Sequence, residues 1–218
     1  DDSQRAFDII HVIALLHSKT TYYKEVDYDE YKTIYEETIN KIDYIYNYYL
    51  DIINVIESKI YMSPSEYLIA RNISKIFSCI YFCKNEMESW YELVKTKKRK
   101  RVVTLHNNLK LDNLIKNKQT FLISWDKSKI DMPIYDIVNF YNRYALDFDF
   151  KGLLSEYERI FPLLEDEKKL LSVLISIPEK ITNTKSEYEM VKSVRHLLDK
   201  IYKTEILLTP EEEKTKST

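Results

Sequence analysis

The chain has 218 residues, of which 44% are hydrophobic and 31% charged, and its formal net charge is −2. This length and apolar content support one sizeable core, in at most two helical parts, and the small charge gives no overall attraction to nucleic acid or acidic membranes. The single glycine, Gly152, excludes a Walker loop, a dinucleotide-binding fingerprint and a kinase glycine-rich loop within this chain, since each needs several glycines.

The first half of the chain is predicted to be helical. Residues 4–18 carry apolar side chains at a 3.6-residue period, and residues 28–60 carry them every three or four positions, which predicts one long amphipathic helix or two adjoining ones. Ser63, Pro64 and Glu66 form a start signal, because the hydroxyl can cap, the proline suits the first turn and the glutamate can reach back. The helix that they open is expected to run to about residue 95.

The second half combines short strands with further helices. The β-prone runs lie at residues 102–105, 114–115 and 120–123. The helices are predicted at residues 133–146, 150–160, 165–176 and 185–203. Residues 1–208 are expected to form the folded domain, whereas residues 209–218 have little apolar surface to bury and are expected to form a flexible tail.

The loop between the first two strand-like runs carries the most informative pattern. It reads His106-Asn107-Asn108-Leu109-Lys110-Leu111-Asp112-Asn113, and the next strand-like segment reads Leu122-Ile123-Ser124-Trp125-Asp126. In frame and spacing this resembles the aminoglycoside phosphotransferase and choline kinase family, which has H-x-D-x-x-x-x-N and then a strand ending in I-D-W-E or I-D-F-D. Pro133-Ile134-Tyr135-Asp136 resembles the family's P-x-x-D segment, and Ile13-Ala14-Leu15-Leu16-His17 is similar to its L-A-x-L-H helix.

The resemblance implies an α+β, predominantly helical fold. It would be the C-terminal lobe of a protein-kinase-like phosphotransferase, with a small β-hairpin region around the equivalent of the catalytic loop. In that family a small β-rich lobe, which clamps the nucleotide, precedes the helical lobe. Because Asp1 already lies in the helix that would follow that lobe, we expect this chain to be a piece of a longer protein; the alternative is a protein that never had the lobe.

The resemblance also shows that two acids are replaced. Asn108 stands at the place of the catalytic base, and a neutral amide can orient a hydroxyl but cannot accept its proton; loss of a general base typically lowers the rate by about 10² to 10⁴. Ser124 stands at the place of the metal-binding Asp, and a hydroxyl supplies no charge for Mg²⁺, which usually takes one or two carboxylates. No intact catalytic residue is therefore expected at either position.

The same resemblance implies roles for four other residues of the motif. Asn113 keeps the family's ligand identity and could serve a vestigial Mg²⁺ or nucleotide site, so we expect its side chain to share a cleft with those of Asn108 and Ser124. Asp126 would lie on the same side of an extended strand as Ser124, which offers a shifted metal site, although a structural acid is the simpler interpretation, with the intervening Trp125 in the core. His106 and Asp136 are interpreted as structural, with Asp136 bonding the loop backbone.

Outside this frame the sequence has one concentration of charge and one pair of thiols. The run Lys95–Arg101 has six basic residues in seven, but we expect a solvated loop and no nucleic-acid partner, and the role of Lys97–Arg101 stays open. Cys79 and Cys83 lack further ligands for zinc and are expected to be a reduced pair. No apolar run reaches the roughly 20 residues of a membrane span, so a cytoplasmic protein without a membrane span is predicted.

The substitutions at positions 108 and 124 predict a catalytically inactive, pseudokinase-type relative of small-molecule phosphotransferases, which acts by binding or scaffolding. It would need no cofactor, and its partner would be a protein or a small molecule in the vestigial cleft. The alternative is an active small-molecule kinase for choline, thiamine, a sugar or an aminoglycoside, which uses Mg²⁺ and ATP with altered metal ligation. A third reading is a plain helical partner-binding module. Bacterial spore-coat-associated kinase-like proteins of low-GC Gram-positive species offer a family-level analogy only.

Overall fold

In the computed structural model, which describes residues 1–116, 120–182 and 186–209, these residues form seven α-helices and five short strands. The helices are α1 (Asp2–Thr20), α2 (Tyr28–Glu57), α3 (Pro64–Val94), α4 (Ile134–Tyr144), α5 (Phe150–Ile160), α6 (Glu165–Ser176) and α7 (Glu187–Leu208). The strands are β1 (Tyr22–Glu25), β2 (Arg99–Leu105), β3 (Leu114–Lys116), β4 (Thr120–Leu122) and β5 (Lys129–Asp131). The prediction of an α+β, predominantly helical fold is confirmed.

The chain divides into two units. Unit 1 comprises Asp1–Tyr31 and Trp90–Leu171, and unit 2 comprises Lys32–Ser89 with the described residues from Ser172 onward. Helices α2, α3 and α6 each begin in one unit and end in the other, so each unit combines early and late parts of the chain. All five strands and every residue of the predicted site belong to unit 1.

Unit 1 contains a three-stranded antiparallel sheet and a separate hairpin. The sheet has the order β1-β2-β5, with Tyr22 opposite Val102 and Val103 opposite Asp131. The hairpin pairs β3 with β4, as predicted, and places Leu114 opposite Leu122. The sequence did not predict β1 and β5, because they carry no buried apolar alternation of their own and form by backbone pairing with the apolar strand β2.

The core of unit 1 lies between its first helix and the elements packed on it. Helix α1 contacts α5 and β2, and its buried stripe of Ala6, Ile9, Ile10, Ile13 and Ala14 repeats at helical spacing. Its start is fixed by Asp1, whose carboxylate accepts a hydrogen bond of 3.0 Å from the backbone N–H of Ser3. The predicted helix at residues 4–18 is therefore present and slightly longer.

In unit 2 the predicted start signal of α3 forms as expected. The N–H of Ser63 donates to Oε2 of Glu66 at 2.9 Å, and the N–H of Glu66 donates to Oγ of Ser63 at 3.4 Å. This reciprocal capping satisfies two donors that the first helical turn cannot pair internally. Upstream, residues 28–57 form the single helix α2, which resolves the two options that the periodicity left open.

Unit 2 also contains the last helix and both cysteines. Helix α7 ends at Leu208 with Thr209 as its cap. The predicted helix start at residue 185 lies outside the described residues, and so does the predicted tail at 209–218 apart from Thr209. Both cysteines are free: Cys83 is buried, and the Cys79 thiol, which is half-buried, donates to the carbonyl of Ser176 at 3.0 Å.

Among the described residues, no helix combines the length and the apolar character that a membrane crossing requires.

The basic run at residues 95–101 forms the predicted exposed loop only as far as Lys98. Strand β2 already begins at Arg99, and Lys100 is only 8% exposed. The ion pairs of the run, all within unit 1, are Lys95–Glu92, Lys97–Asp166, Arg99–Glu25, Lys100–Glu30, Lys100–Asp131 and Arg101–Glu167. Acids from distant parts of the chain thus neutralise most of the charge, which the local sequence could not reveal.

Candidate functional site

The loop that follows β2 is held by one buried carboxylate. Asp136, in the first turn of α4, accepts hydrogen bonds from the backbone N–H groups of His106 (2.8 Å) and Asn107 (2.6 Å). Asn107 has a φ of 59°, a left-handed conformation that is uncommon for a residue other than glycine. The position of Asp136 near the positive end of α4 also favours its charge. The expected contact between this acid and the loop backbone is present.

Asp136 is itself part of a buried polar chain. Its Oδ2 lies 3.3 Å from Nε2 of His17 on α1, and Nδ1 of His17 lies 2.7 Å from the hydroxyl of Tyr157 on α5. Burial raises the pKa of Tyr157, so this hydroxyl stays protonated and can donate to Nδ1, which leaves the Nε2 proton for Asp136. Three helices are therefore tied to the loop by side chains that are fully buried.

His106 anchors the other side of the same loop. Its ring is fully buried, its Nε2 is 2.8 Å from the carbonyl oxygen of Ile123, and its edge packs on Trp125 with ring centroids 4.7 Å apart. Because a carbonyl oxygen can only accept, Nε2 is the donor in this bond, and Nδ1 has no hydrogen-bond partner among the described residues. Trp125 is 37% exposed, so the prediction that it belongs to the core is wrong.

The segment around Ser124 does not have the expected extended geometry. Strand β4 ends at Leu122, Ser124 has a left-handed φ of 67°, and residues Trp125–Lys127 form a 3-10 turn. Alternation along a strand therefore cannot bring Asp126 to the same side as Ser124, and the premise of the shifted metal site is corrected. The left-handed residue and the short turn reverse the chain before β5 begins.

Asn113 is placed by its backbone beside the end of β4. It closes a 3-10 turn (Leu111–Asn113), its N–H donates to the carbonyl of Lys110 at 3.0 Å, and its carbonyl accepts from the N–H of Ile123 at 3.0 Å. Its side chain is buried, and Oδ1 has no partner among the described residues. A buried acceptor without a partner is costly, so this oxygen is suited to a ligand.

Two side chains that sequence reasoning missed support this turn. The guanidinium of Arg5 on α1 donates to the carbonyls of Leu111 (3.1 Å) and Leu114 (3.4 Å). The hydroxyl of Tyr144 on α4 accepts from the N–H of Leu111 at 3.2 Å. The helices on either side of the loop thus fix its second half as Asp136 fixes its first. Nothing in the local sequence marks these two residues, since their partners are backbone atoms more than 30 positions away.

An open pocket with a volume of about 390 Å³, here called the amide–cation pocket, lies beside the loop. It is lined by Asn107, Asn108, Lys127, Asn139, Asn142 and Arg143. Asn113 and Ser124 are not part of this lining, so the three residues that were expected to face one cleft are not brought together at this surface. Asn139 and Arg143 follow Asp136 by three and seven positions on α4, a spacing that could have identified them as neighbours of the loop.

The available donors do not fit a magnesium ion. Mg²⁺ binds oxygen ligands in octahedral geometry and usually takes one or two carboxylates, but the amide–cation pocket offers amides and two cations, which would repel it. Ser124 and Asp126 are exposed, and the Asn113 amide oxygen carries no charge. Within the ranges that the structure describes, no cluster of three or more His, Cys, Asp or Glu residues could hold a metal ion.

Comparison with known proteins supports the fold. The chain is similar to an aminoglycoside phosphotransferase from Alicyclobacillus acidocaldarius subsp. acidocaldarius DSM 446, with a TM-score of 0.62 and 9% sequence identity. The match covers 95% of this chain and 67% of that protein. No protein-family model matches the sequence, and the curated proteins contain no match either. A likeness at this identity establishes a kinase-like phosphotransferase fold and nothing finer.

Proposed function

We propose that this chain is a non-catalytic, pseudokinase-type relative of small-molecule phosphotransferases and that it acts by binding. The proposal is supported by the side chains at two positions of the motif, 108 and 124, where the phosphotransferase family has acids. The loop is positioned in detail by Asp136, yet Asn108 stands where a base would have to accept a proton. A scaffold that keeps its loop geometry without the reactive group is suited to binding rather than to turnover.

The second position supports the same proposal. Ser124 is exposed, left-handed and followed by a turn, so it offers neither charge nor a neighbouring carboxylate in strand register. Transfer of a phosphoryl group depends on positioning and on neutralising charge with metal ions. Without a base, the acceptor hydroxyl is not activated. Without metal-binding carboxylates, the charge of the phosphoryl group is not neutralised, so the remaining cleft can recognise a ligand but not activate it.

One observation favours the alternative, an active small-molecule kinase with altered metal ligation. The side-chain oxygen of Asn113 is buried, keeps the family's ligand identity and has no hydrogen-bond partner among the described residues. An activity that uses ATP would depend on this oxygen. Asn113 is therefore the residue whose substitution separates the two functions.

The test is a phosphotransfer assay on the full chain with ATP, with and without Mg²⁺. Choline, thiamine, a sugar and an aminoglycoside serve as acceptors, and ATP hydrolysis is followed in parallel. We expect no turnover above a protein-free control in any combination. Metal-dependent turnover that is lost in Asn113→Ala, while thermal unfolding shows that variant to be folded, would overturn the proposal in favour of the kinase.

A further inference from the structure

The amide–cation pocket has an unusual charge balance for a site in the position of a kinase cleft. Its six lining residues include two cations, Lys127 and Arg143, and four asparagine amides, but no carboxylate. Asp126 precedes Lys127 in the chain but does not line the pocket. The replacement of an acid by Asn108 is thus accompanied by a net positive lining, the opposite of what a metal site requires.

Many basic side chains of unit 1 form ion pairs within the described part of the chain, whereas the two cations that line this pocket do not. Elsewhere in that unit the acid partners are Asp8 for Lys116, Asp131 for Lys129 and Glu156 for Arg159. Lys127 and Arg143 have no such carboxylate among the described residues. Two like charges on one pocket repel each other, and an anion bound between them would remove that repulsion.

The pocket is also held in shape before any ligand arrives. The side-chain amide of Asn107 donates to the carbonyl of Lys127 at 3.1 Å, and its Oδ1 accepts from Nδ2 of Asn139 at 3.2 Å. One asparagine therefore joins the loop, the 3-10 turn and α4, the three elements that carry the lining. A prearranged pocket loses less conformational entropy when it binds a ligand.

We infer that the amide–cation pocket binds the phosphate group of a small phosphorylated molecule without a metal ion. The guanidinium of Arg143 presents a planar fork of N–H donors, the ammonium of Lys127 presents a point charge, and the amide of Asn108 can add a neutral donor. A volume of about 390 Å³ has room for a phosphate with a small organic group. This inference rests on the proposed binding function, since the same cleft is its site.

The same lining argues against cationic ligands. Choline, thiamine and aminoglycosides all carry positive charge at neutral pH. A pocket with Lys127 and Arg143 and without a carboxylate in its lining repels such molecules. The acceptors of the alternative function that are cations are therefore poor ligands for this surface, whereas their phosphorylated or anionic counterparts are suitable.

The experiment is a titration of the ¹⁵N-labelled full chain, free of divalent cations, with inorganic phosphate, glycerol 3-phosphate and choline. We expect saturable shifts of backbone resonances at residues 107–108, 127 and 139–143 with both phosphates and none with choline. Tighter binding of glycerol 3-phosphate would identify an organic phosphate as the ligand, and equal affinities would identify the phosphate group alone. Absence of saturable shifts at these residues would overturn the inference.

Charge variants decide whether binding occurs in this pocket. Lys127→Gln with Arg143→Gln is expected to weaken phosphate binding about tenfold or more. The matched control is Lys129→Gln, which removes one nearby charge that already has an acid partner, Asp131, and should leave the affinity unchanged. Equal affinity in the double variant and the unmodified chain would place phosphate elsewhere and end the inference.

The two proposals fail in different ways. Turnover of ATP in the phosphotransfer assay would remove the proposed function, while metal-free phosphate shifts at Lys127 and Arg143 would still stand. Absence of phosphate shifts together with absence of turnover would leave the non-catalytic function in place and remove only the phosphate ligand. If the double variant fails to fold, as judged by its amide spectrum, the single variants Lys127→Gln and Arg143→Gln provide the same comparison.

Discussion

The N–H of Asn107 donates to Oδ1 of Asp136 at 2.6 Å, and this bond helps to hold Asn107 in a left-handed conformation with a φ of 59°. Asparagine adopts this conformation more readily than most residues other than glycine, and the contact with Asp136 fixes it here. The charge of Asp136 is thus used to shape the loop. The loop can keep this shape even though Asn108 cannot act as a base.

Asp136→Asn should destabilise the protein by about 2 to 4 kcal/mol. The amide could accept only one of the two backbone hydrogen bonds and would present an N–H group to the other donor, inside a fully buried site. The measurement is urea-induced unfolding. Asp126→Asn, at an exposed acid, is the control and should change the stability by less than about 0.5 kcal/mol. Equal stability of the two variants would contradict the role of Asp136.

Asn108→Asp combined with Ser124→Asp should not create a response to Mg²⁺, although carboxylates are the ligands that this ion prefers. Asn108 lines the amide–cation pocket together with Lys127 and Arg143, which repel a cation, and Ser124 is not part of that lining. Thermal unfolding with and without Mg²⁺ measures this, and saturating Mg²⁺ is expected to change the free energy of unfolding of the double variant by less than about 0.5 kcal/mol. A rise of about 1 to 3 kcal/mol would show that the two positions share a metal site.

Arg101→Met should destabilise the protein by about 3 to 5 kcal/mol, because it leaves the carboxylate of Glu167 buried without its cation. The guanidinium of Arg101 also donates to the carbonyl of Pro162 at 2.9 Å and stacks over the ring of Phe161 at 4.1 Å. Denaturant unfolding measures the loss.

Lys98→Met is the matched control for that experiment, since Lys98 is an exposed residue of the same basic run, and it should be nearly neutral. A second comparison is Arg101→Met combined with Glu167→Leu, which removes both charges and should lose less stability than Arg101→Met alone. If the double variant were the less stable of the two, the buried charge of Glu167 would not be the cause.

Glu156 should make stability depend on pH in the acid range. Hydrogen bonds from Arg159 and His11 lower the pKa of Glu156 from 4.5 to about 2. A lowered folded-state pKa means that the unfolded chain takes up the proton first, so this contribution is present above about pH 4.5 and is lost as the pH falls to about 2. The free energy of unfolding, measured from pH 2 to 6, should fall less steeply for Glu156→Gln. Parallel curves would contradict the prediction.

Cys79 should react with iodoacetamide in the folded protein before Cys83 does. The hydrogen bond between the two thiols lowers the pKa of Cys79 and raises that of Cys83, and Cys83 is also buried. The thiolate is the reactive form, so both reactivity and access favour Cys79. Mass spectrometry of the native protein after short labelling measures the order, with labelling in denaturant as the control. Equal native rates at both thiols would be incompatible with this arrangement.

Local patterns in the sequence determined the helices, because periodicity and capping depend on residues within one or two turns of each other. The start of α3 shows this, since Ser63 and Glu66 bond reciprocally where the pattern predicts. The motif spacing likewise indicated the loop, the contact made by Asp136 and the absence of acids at positions 108 and 124. Each of these features can be read from neighbouring residues or from a fixed spacing.

Tertiary structure alone decided the charge environment and the strand ends. Arg101 finds Glu167, a residue 66 positions away, and Arg5 finds the carbonyl of Leu111, 106 positions away, so no local pattern could reveal either contact. The chain reversal at Ser124, which exposes Trp125, depends on the pairing of β5 with β2. The amide–cation pocket arises in the same way, because a loop, a turn and the outer side of α4 meet only after the chain has folded.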